Sequence, residues 1–229
     1  MKIAKQLKIF GLGLIAILLA SWSIGPNSEP VQADVNGGIV ITVNTTADLA
    51  DSSNFDNHTC GYSSGAFFFP AGDGQCTLRR AILEAGVRPD GDRPISIQFN
   101  IPTSDPNYNA SLQVWEVQID ESHVWELDRR FITDDGGQVT IDGNTQPGGR
   151  VDGPKIMVNT NRDNLATFGR SLEVRTSNNI IRNLGFIGGG QIILYEGGNT
   201  VENNWMGLTA EGSGLSLASD ATTQAMRAM

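Results

Sequence analysis

The chain has little of what most catalytic and metal sites are made from. Its 229 residues include two histidines, His58 and His123, and two cysteines, Cys60 and Cys76. A structural zinc site needs four nitrogen or sulfur ligands, and these four residues form no ligand pattern. The cysteines are too far apart for a Cys-x-x-Cys redox pair. Charged residues make up only 18% of the chain, with no basic block and a formal net charge of −9. An acidic surface repels phosphate backbones, so the reading excludes nucleic acid as a partner. Only one long apolar run occurs, at the N-terminus, so nothing after it is expected to span a membrane.

That run dictates the compartment. Lys2, Lys5 and Lys8 precede an uncharged, mainly apolar stretch of 16 residues, 9–24, and a polar segment then leads to Val31-Gln32-Ala33. This is the layout of a secretory signal peptide, with cleavage expected after Ala33. The alternative, an uncleaved anchor, needs about 20 apolar residues. Cleavage leaves 196 residues, 34–229, and removes three lysines and Glu29, so the net charge becomes −11. In an exported chain, two cysteines most simply form one disulfide, and Cys60–Cys76 is the expected bridge.

Glycine is plentiful, at 27 residues, which favours turns over long helices. Residues 38–44 (GIVITVN), 94–101 (PISIQFNI), 112–119 (LQVWEVQI) and 138–142 (QVTID) read as strands. Residues 77–85 (TLRRAILEA) read as the best helix. Thr77 caps it, Leu78, Ala81, Ile82 and Ala85 share one face, and Gly86 ends it. After Asp142, short apolar triplets recur between asparagines and glycines. Residues 179–183 (NIIRN) align with 199–203 (NTVEN) at an offset of 20, which places Phe186 over Met206. A period near 20 suits one coil of a β-solenoid. An irregular β-sandwich is the other arrangement compatible with these triplets.

The segment Cys76-Thr77-Leu78-Arg79-Arg80-Ala81-Ile82, followed by Glu84-Ala85, resembles the CSLREA domain of bacterial surface proteins. Residues 41–48 (ITVNTTAD) resemble that family's opening strand, 95–101 its strand after the helix, and 139–148 (VTIDGNTQPG) the start of its stack. Residues 199–212 are similar to the asparagine-rich repeats of parallel β-helix proteins. The resemblance implies an all-β fold: a right-handed parallel β-helix, or solenoid, with an N-terminal cap that contains the helix. It brings no catalytic residues. The organisation expected is a signal peptide at 1–33, a CSLREA-like cap at 34–102, β-helix coils at 103–217 and a disordered or truncated tail at 218–229. About four coils would fit after Val139 at the repeat spacing. A stack ending there exposes a strand edge, so the chain is expected to be a fragment of a longer surface protein or to need a partner at that end.

Carboxylates are the remaining source of chemistry. Glycoside hydrolysis uses two of them across one bond, and the candidates are Asp134, Asp135 and Asp142, with Glu173, Glu196 and Glu202 as further candidates. Asp134-Asp135 precedes Gly136-Gly137 and reads more simply as a solvated turn. Neither histidine lies in a Gly-His-Gly setting such as pectin-cleaving β-helix hydrolases show. Asp48, Asp51, Asp56 and Asp73 are calcium candidates, but they fit no EF-hand spacing, so no cofactor is assigned. Phe67, Phe68 and Phe69 read as a plug for the solenoid's end. Trp115, Trp125 and Trp205 would stack on sugars if exposed. The expected function is a secreted or cell-surface, non-catalytic module for adhesion, binding or spacing, with carbohydrate or another surface protein as partner. The alternatives are a polysaccharide lyase or glycoside hydrolase on the same fold, or a fragment with no function of its own.

Overall fold

The computed structural model describes residues 38–48, 58–63, 74–118, 125–127, 136–159, 171–188 and 190–214. Residues 1–33, read above as a signal segment, the expected tail at 218–229, Phe67–69, Asp51, Asp56, Asp73, Asp134 and Asp135 lie outside them. Among the described residues, no helix is long and apolar enough to cross a membrane.

Among the described residues the chain is mostly sheet with one α-helix, and every strand pair except one is parallel. Strand β1 (Ile39–Val43) leads to helix α1 (Leu78–Val87). Then follow β2 (Ile95–Phe99), β3 (Tyr108–Asn109), β4 (Val114–Gln118), β5 (Trp125–Leu127), β6 (Val139–Asp142), β7 (Ile156–Asn159) and β8 (Ser171–Val174). The last five are β9 (Ile180–Arg182), β10 (Leu184–Ile187), β11 (Gln191–Leu194), β12 (Thr200–Glu202) and β13 (Trp205–Met206). They form three sheets, in the orders β1-β2-β6-β9-β12, β13-β10-β7-β4-β3 and β11-β8-β5. From β4 onward, consecutive strands enter the second, third and first sheet in rotation. Only the β3–β4 hairpin is antiparallel, so the pairing is not that of an antiparallel β-sandwich.

The 20-residue offset is a strand register. Ile180 pairs with Thr200, Ile181 with Val201 and Arg182 with Glu202, and Phe186 pairs with Met206. Earlier circuits are longer. Ile39 pairs with Ile95 at a separation of 56, Ile95 with Val139 at 44, and Thr140 with Ile180 at 40. A uniform spacing of 20 after Val139 therefore does not hold, because connections of unequal length separate the earlier strands.

Side chains on alternate strand positions meet in one core cluster drawn from all three sheets. In the first sheet Ile41, Ile97, Ile141 and Ile181 lie in register. Helix α1 packs on the same cluster through Leu78, Ala81, Ile82 and Ala85, all buried. Thr77 caps it by accepting from the Arg80 N–H at 3.1 Å. Gly86 does not end the helix, which runs one residue further to Val87. Arg88 is extended because Pro89 follows it.

The segment after β6 serves the strand beside it. The Thr145 hydroxyl accepts from the Phe99 N–H. The buried Gln146 amide accepts from the Ile101 N–H at 2.9 Å and donates to the Ile101 carbonyl at 2.8 Å. Gly143 lies so close to the next circuit that a Cβ there would meet the Asn183 carbonyl oxygen at 2.2 Å.

Candidate functional site

The residues of the Cys76–Glu84 segment are consumed in holding the helix. Cys60 and Cys76 form the disulfide. The Cys76 N–H donates to the Asn44 side chain at 2.8 Å, which ties the bridge to the end of β1. Arg79 donates two bonds to Asp48, at 2.7 and 2.6 Å. Asp48, one of the calcium candidates, is therefore the partner of a guanidinium. Glu84 is fully buried, and both of its oxygens are used. One accepts from the Gly61 and Tyr62 N–H groups, the other from Arg88 at 2.8 and 2.6 Å. Arg88 also lies over the Tyr62 ring at 4.5 Å. A buried carboxylate is tolerated when its lone pairs are satisfied in this way.

Asp142, the first-ranked catalytic candidate within the described residues, is held just as firmly. It accepts from Arg182 at 2.9 Å, from the Asn183 side chain at 2.7 Å and from the Asn144 N–H at 2.9 Å. Its register neighbours in β9 and β12 are Arg182 and Glu202, so the column alternates in charge. A general acid or base needs a proton site it can share with substrate, and this carboxylate is engaged with the protein on both oxygens. Among the described residues, no three His, Cys, Asp or Glu side chains gather as a metal site would require.

Neither Trp115 nor Trp205 offers an open sugar platform. Trp115 is buried, and its indole N–H donates to the Pro102 carbonyl at 3.1 Å. Trp205 is covered on one side by the Arg150 guanidinium, 4.7 Å from the ring centre. Its ring also fills the space that a Cβ would take on Gly153 and Gly212. Arg150 reaches on to the Ala210 carbonyl. In the same loop, hydrogen bonds from backbone and from Thr209 hold the Glu211 carboxyl below its ordinary value, with help from the Arg150 charge. The side chain of Trp125 lies outside the described set.

What remains open is a depression of about 400 Å³ beside the β3–β4 hairpin, lined by Asn107, Tyr108, Asn109, Glu116 and Gln118 with Pro106 and Ala110. Asp105 precedes its lining segment and holds it in place. That carboxylate accepts from the hydroxyls of Thr45 and Thr46 and from the backbone N–H groups of Thr46 and Asn107, so it pins the loop to the end of β1. Tyr108 packs on the Trp115 ring, with centroids 4.6 Å apart. Glu116 accepts from Gln118 and Asn159 through one oxygen. The Asn109 carbonyl oxygen is used by residues 111 and 112. Asn109 therefore keeps amide hydrogens, and Glu116 its second oxygen, without a protein partner among the described residues. The groove thus offers donors, acceptors and a phenol ring, with a single carboxylate.

Sequence reading did not single out this groove. The local signal was Asp105-Pro106-Asn107, a turn-forming triplet whose aspartate bonds its own backbone two residues on. Tyr108 and Glu116 come together only through the hairpin register, in which Tyr108 pairs with Trp115. Compared with protein-family models, with curated proteins and with solved structures, the chain matches none of them.

Proposed function

We propose that this chain is an exported surface module that binds and spaces rather than cleaves, and that its groove beside β3 and β4 contacts saccharide. The observation that carries this reading is the makeup of the groove, where amides and a tyrosine ring surround one carboxylate. Amides and carboxylates match vicinal hydroxyl groups, and an aromatic ring offers an apolar face. Bond cleavage by the usual glycosidase route asks for two opposed carboxyl groups. The disulfide suits an oxidising compartment, and the sequence of residues 1–33 suits export.

The architecture we infer is a right-handed parallel β-helix of the CSLREA kind, with α1 as its N-terminal cap. Rotation of consecutive strands among three mainly parallel sheets supports it, as does the in-register pairing at an offset of 20. Parallel crossover connections are right-handed in nearly all proteins. A rigid stack of this kind presents a long side for contacts.

The test is titration of the purified mature chain with pectin, alginate, glucuronan and chitin-type oligosaccharides, followed by product analysis. We expect saturable binding that weakens at least about tenfold in Tyr108→Ala, the loss of roughly one aromatic contact, with no new reducing ends. Release of reducing ends or unsaturated products, abolished by Asp142→Ala or by changing Asp134 or Asp135, would install an enzyme in its place.

A further inference from the structure

Three columns of core side chains run out at the same end of the molecule. In the first sheet the column passes from Ile41 through Ile97, Ile141 and Ile181 to Val201. In the second it passes from Val117 through Val158 and Phe186 to Met206. In the third it passes from Leu127 through Val174 to Leu194. Every member before the last is at most 2% exposed, whereas Val201, Met206 and Leu194 are 41%, 44% and 43% exposed. Each terminal residue pairs with the strand before it and has no paired strand beyond it among the described residues. The strands that carry them, β12, β13 and β11, are the terminal members of their sheets.

Polar columns stop at the same place. Asp142, Arg182 and Glu202 alternate in sign, with Arg182 at 2.9 Å from Asp142 and 3.6 Å from Glu202. Glu202 is the last member. An asparagine series runs alongside. The Val139 N–H donates to the Asn179 side-chain oxygen and the Asn179 N–H to the Asn199 side-chain oxygen, so each circuit takes an oxygen from the next. Residues 190–214 carry Glu196, Glu202 and Glu211 and no lysine or arginine.

We propose that this end is a strand-addition site for another polypeptide. The occupant pairs parallel with β12, sets lysine or arginine opposite Glu202, and continues the three columns with aliphatic side chains. Edge strands recruit extended segments through their backbone groups, and side-chain columns supply the selectivity. A second copy of this chain fits poorly, because its matching end is acidic and brings no cation to Glu202. The inference stands on strand pairing, exposure and charge, and it needs nothing from the saccharide groove.

The chain itself supplies a probe. A capped synthetic peptide with the sequence of residues 176–187 (TSNNIIRNLGFI) carries an arginine and aliphatic residues at the required register. Amide exchange and NMR shifts of the mature chain are followed as peptide is added. We expect new protection and shifts confined to 200–206, because the peptide carries the β9 and β10 segments that pair with β12 and β13 and lacks the β8 segment that pairs with β11. A peptide with glutamate in place of its arginine should bind roughly tenfold more weakly, from exchanging an attractive cross-strand pair for a repulsive one. The variant Glu202→Lys should reverse that preference, which separates recognition from a failure to fold. Four results would each overturn the proposal. One is no protection at millimolar peptide. Another is a preference that Glu202→Lys leaves unchanged. A third is protection of these amides that grows with protein concentration alone, which would make the occupant a second copy. The last is protection already present in the free chain and lost on deleting 215–229, which would make it the chain's own tail.

Discussion

The two ends of the first sheet carry the same side-chain pattern and meet opposite fates. At one end Ile41 and Val43 of β1 are buried under helix α1, and Cys60–Cys76 and Asn44 tie the helix to the strand. At the other, Val201 stands in register with Ile181 and is half open to solvent. Parallel pairing copies a core position from strand to strand, but it does not close the last copy. Closure comes from an added element. Here that element is a ten-residue helix whose charged residues are nearly all spent on anchoring it.

The contrast yields predictions for matched substitutions, read as unfolding free energies from denaturant titration. The largest effect is expected at Glu84. Glu84→Ala leaves Arg88 buried without its main partner and should cost about 3–5 kcal/mol. Glu202→Ala at the bare end should cost no more than about 0.5 kcal/mol, as for an exposed ion pair. Leu78→Ala comes next, at about 2–5 kcal/mol, the range for truncating a fully buried leucine. Val201→Ala should lose under about 1 kcal/mol, because half of its surface is already in water. Equal losses at the two positions would show that the ends do not differ.

The smallest effect separates neighbours in the asparagine series. Asn179 is buried and accepts from the Val139 N–H while donating to Thr176 and Asn199. Asn179→Ala should cost about 1–3 kcal/mol, the penalty for stranding a buried donor. Asn199→Ala should cost less, about 0.5–1.5 kcal/mol, since water reaches that circuit and can replace the lost oxygen. A larger loss at Asn199 than at Asn179 would remove the gradient along the stack.

Much of the fold could be read from residues whose cues are local. The IVITV segment is a β-branched run and the ISIQF segment alternates, and both are strands. Thr77 followed by the Leu78, Ala81, Ile82 and Ala85 face marks the helix start correctly. The 20-residue offset was visible because the circuit from β9 to β12 has almost no excess chain. The circuits of 40, 44 and 56 residues were not visible, since their long connections break any sequence period. Trp115 shows a second kind of limit. It lies in a strand where two consecutive residues, Val114 and Trp115, are both buried on opposite faces, so alternation could not say that its ring is enclosed. The groove was illegible for a third reason. Asp105 acts on Thr45 and Thr46 some 60 positions earlier, and that contact exists only once the sheets are assembled.

The most direct test of a first sheet closed at one end and open at the other is native-state amide hydrogen exchange along that sheet in the free chain. Local opening tracks how many buried contacts hold a segment in place. The account predicts that the β1 and β2 amides, Val43 and Ile97 among them, exchange only through global unfolding. The β12 amides of Val201 and Glu202 should exchange roughly a hundredfold faster or more, through fraying of the bare edge. Uniform protection from β1 to β12, or slower exchange at β12 than at β1, would contradict it.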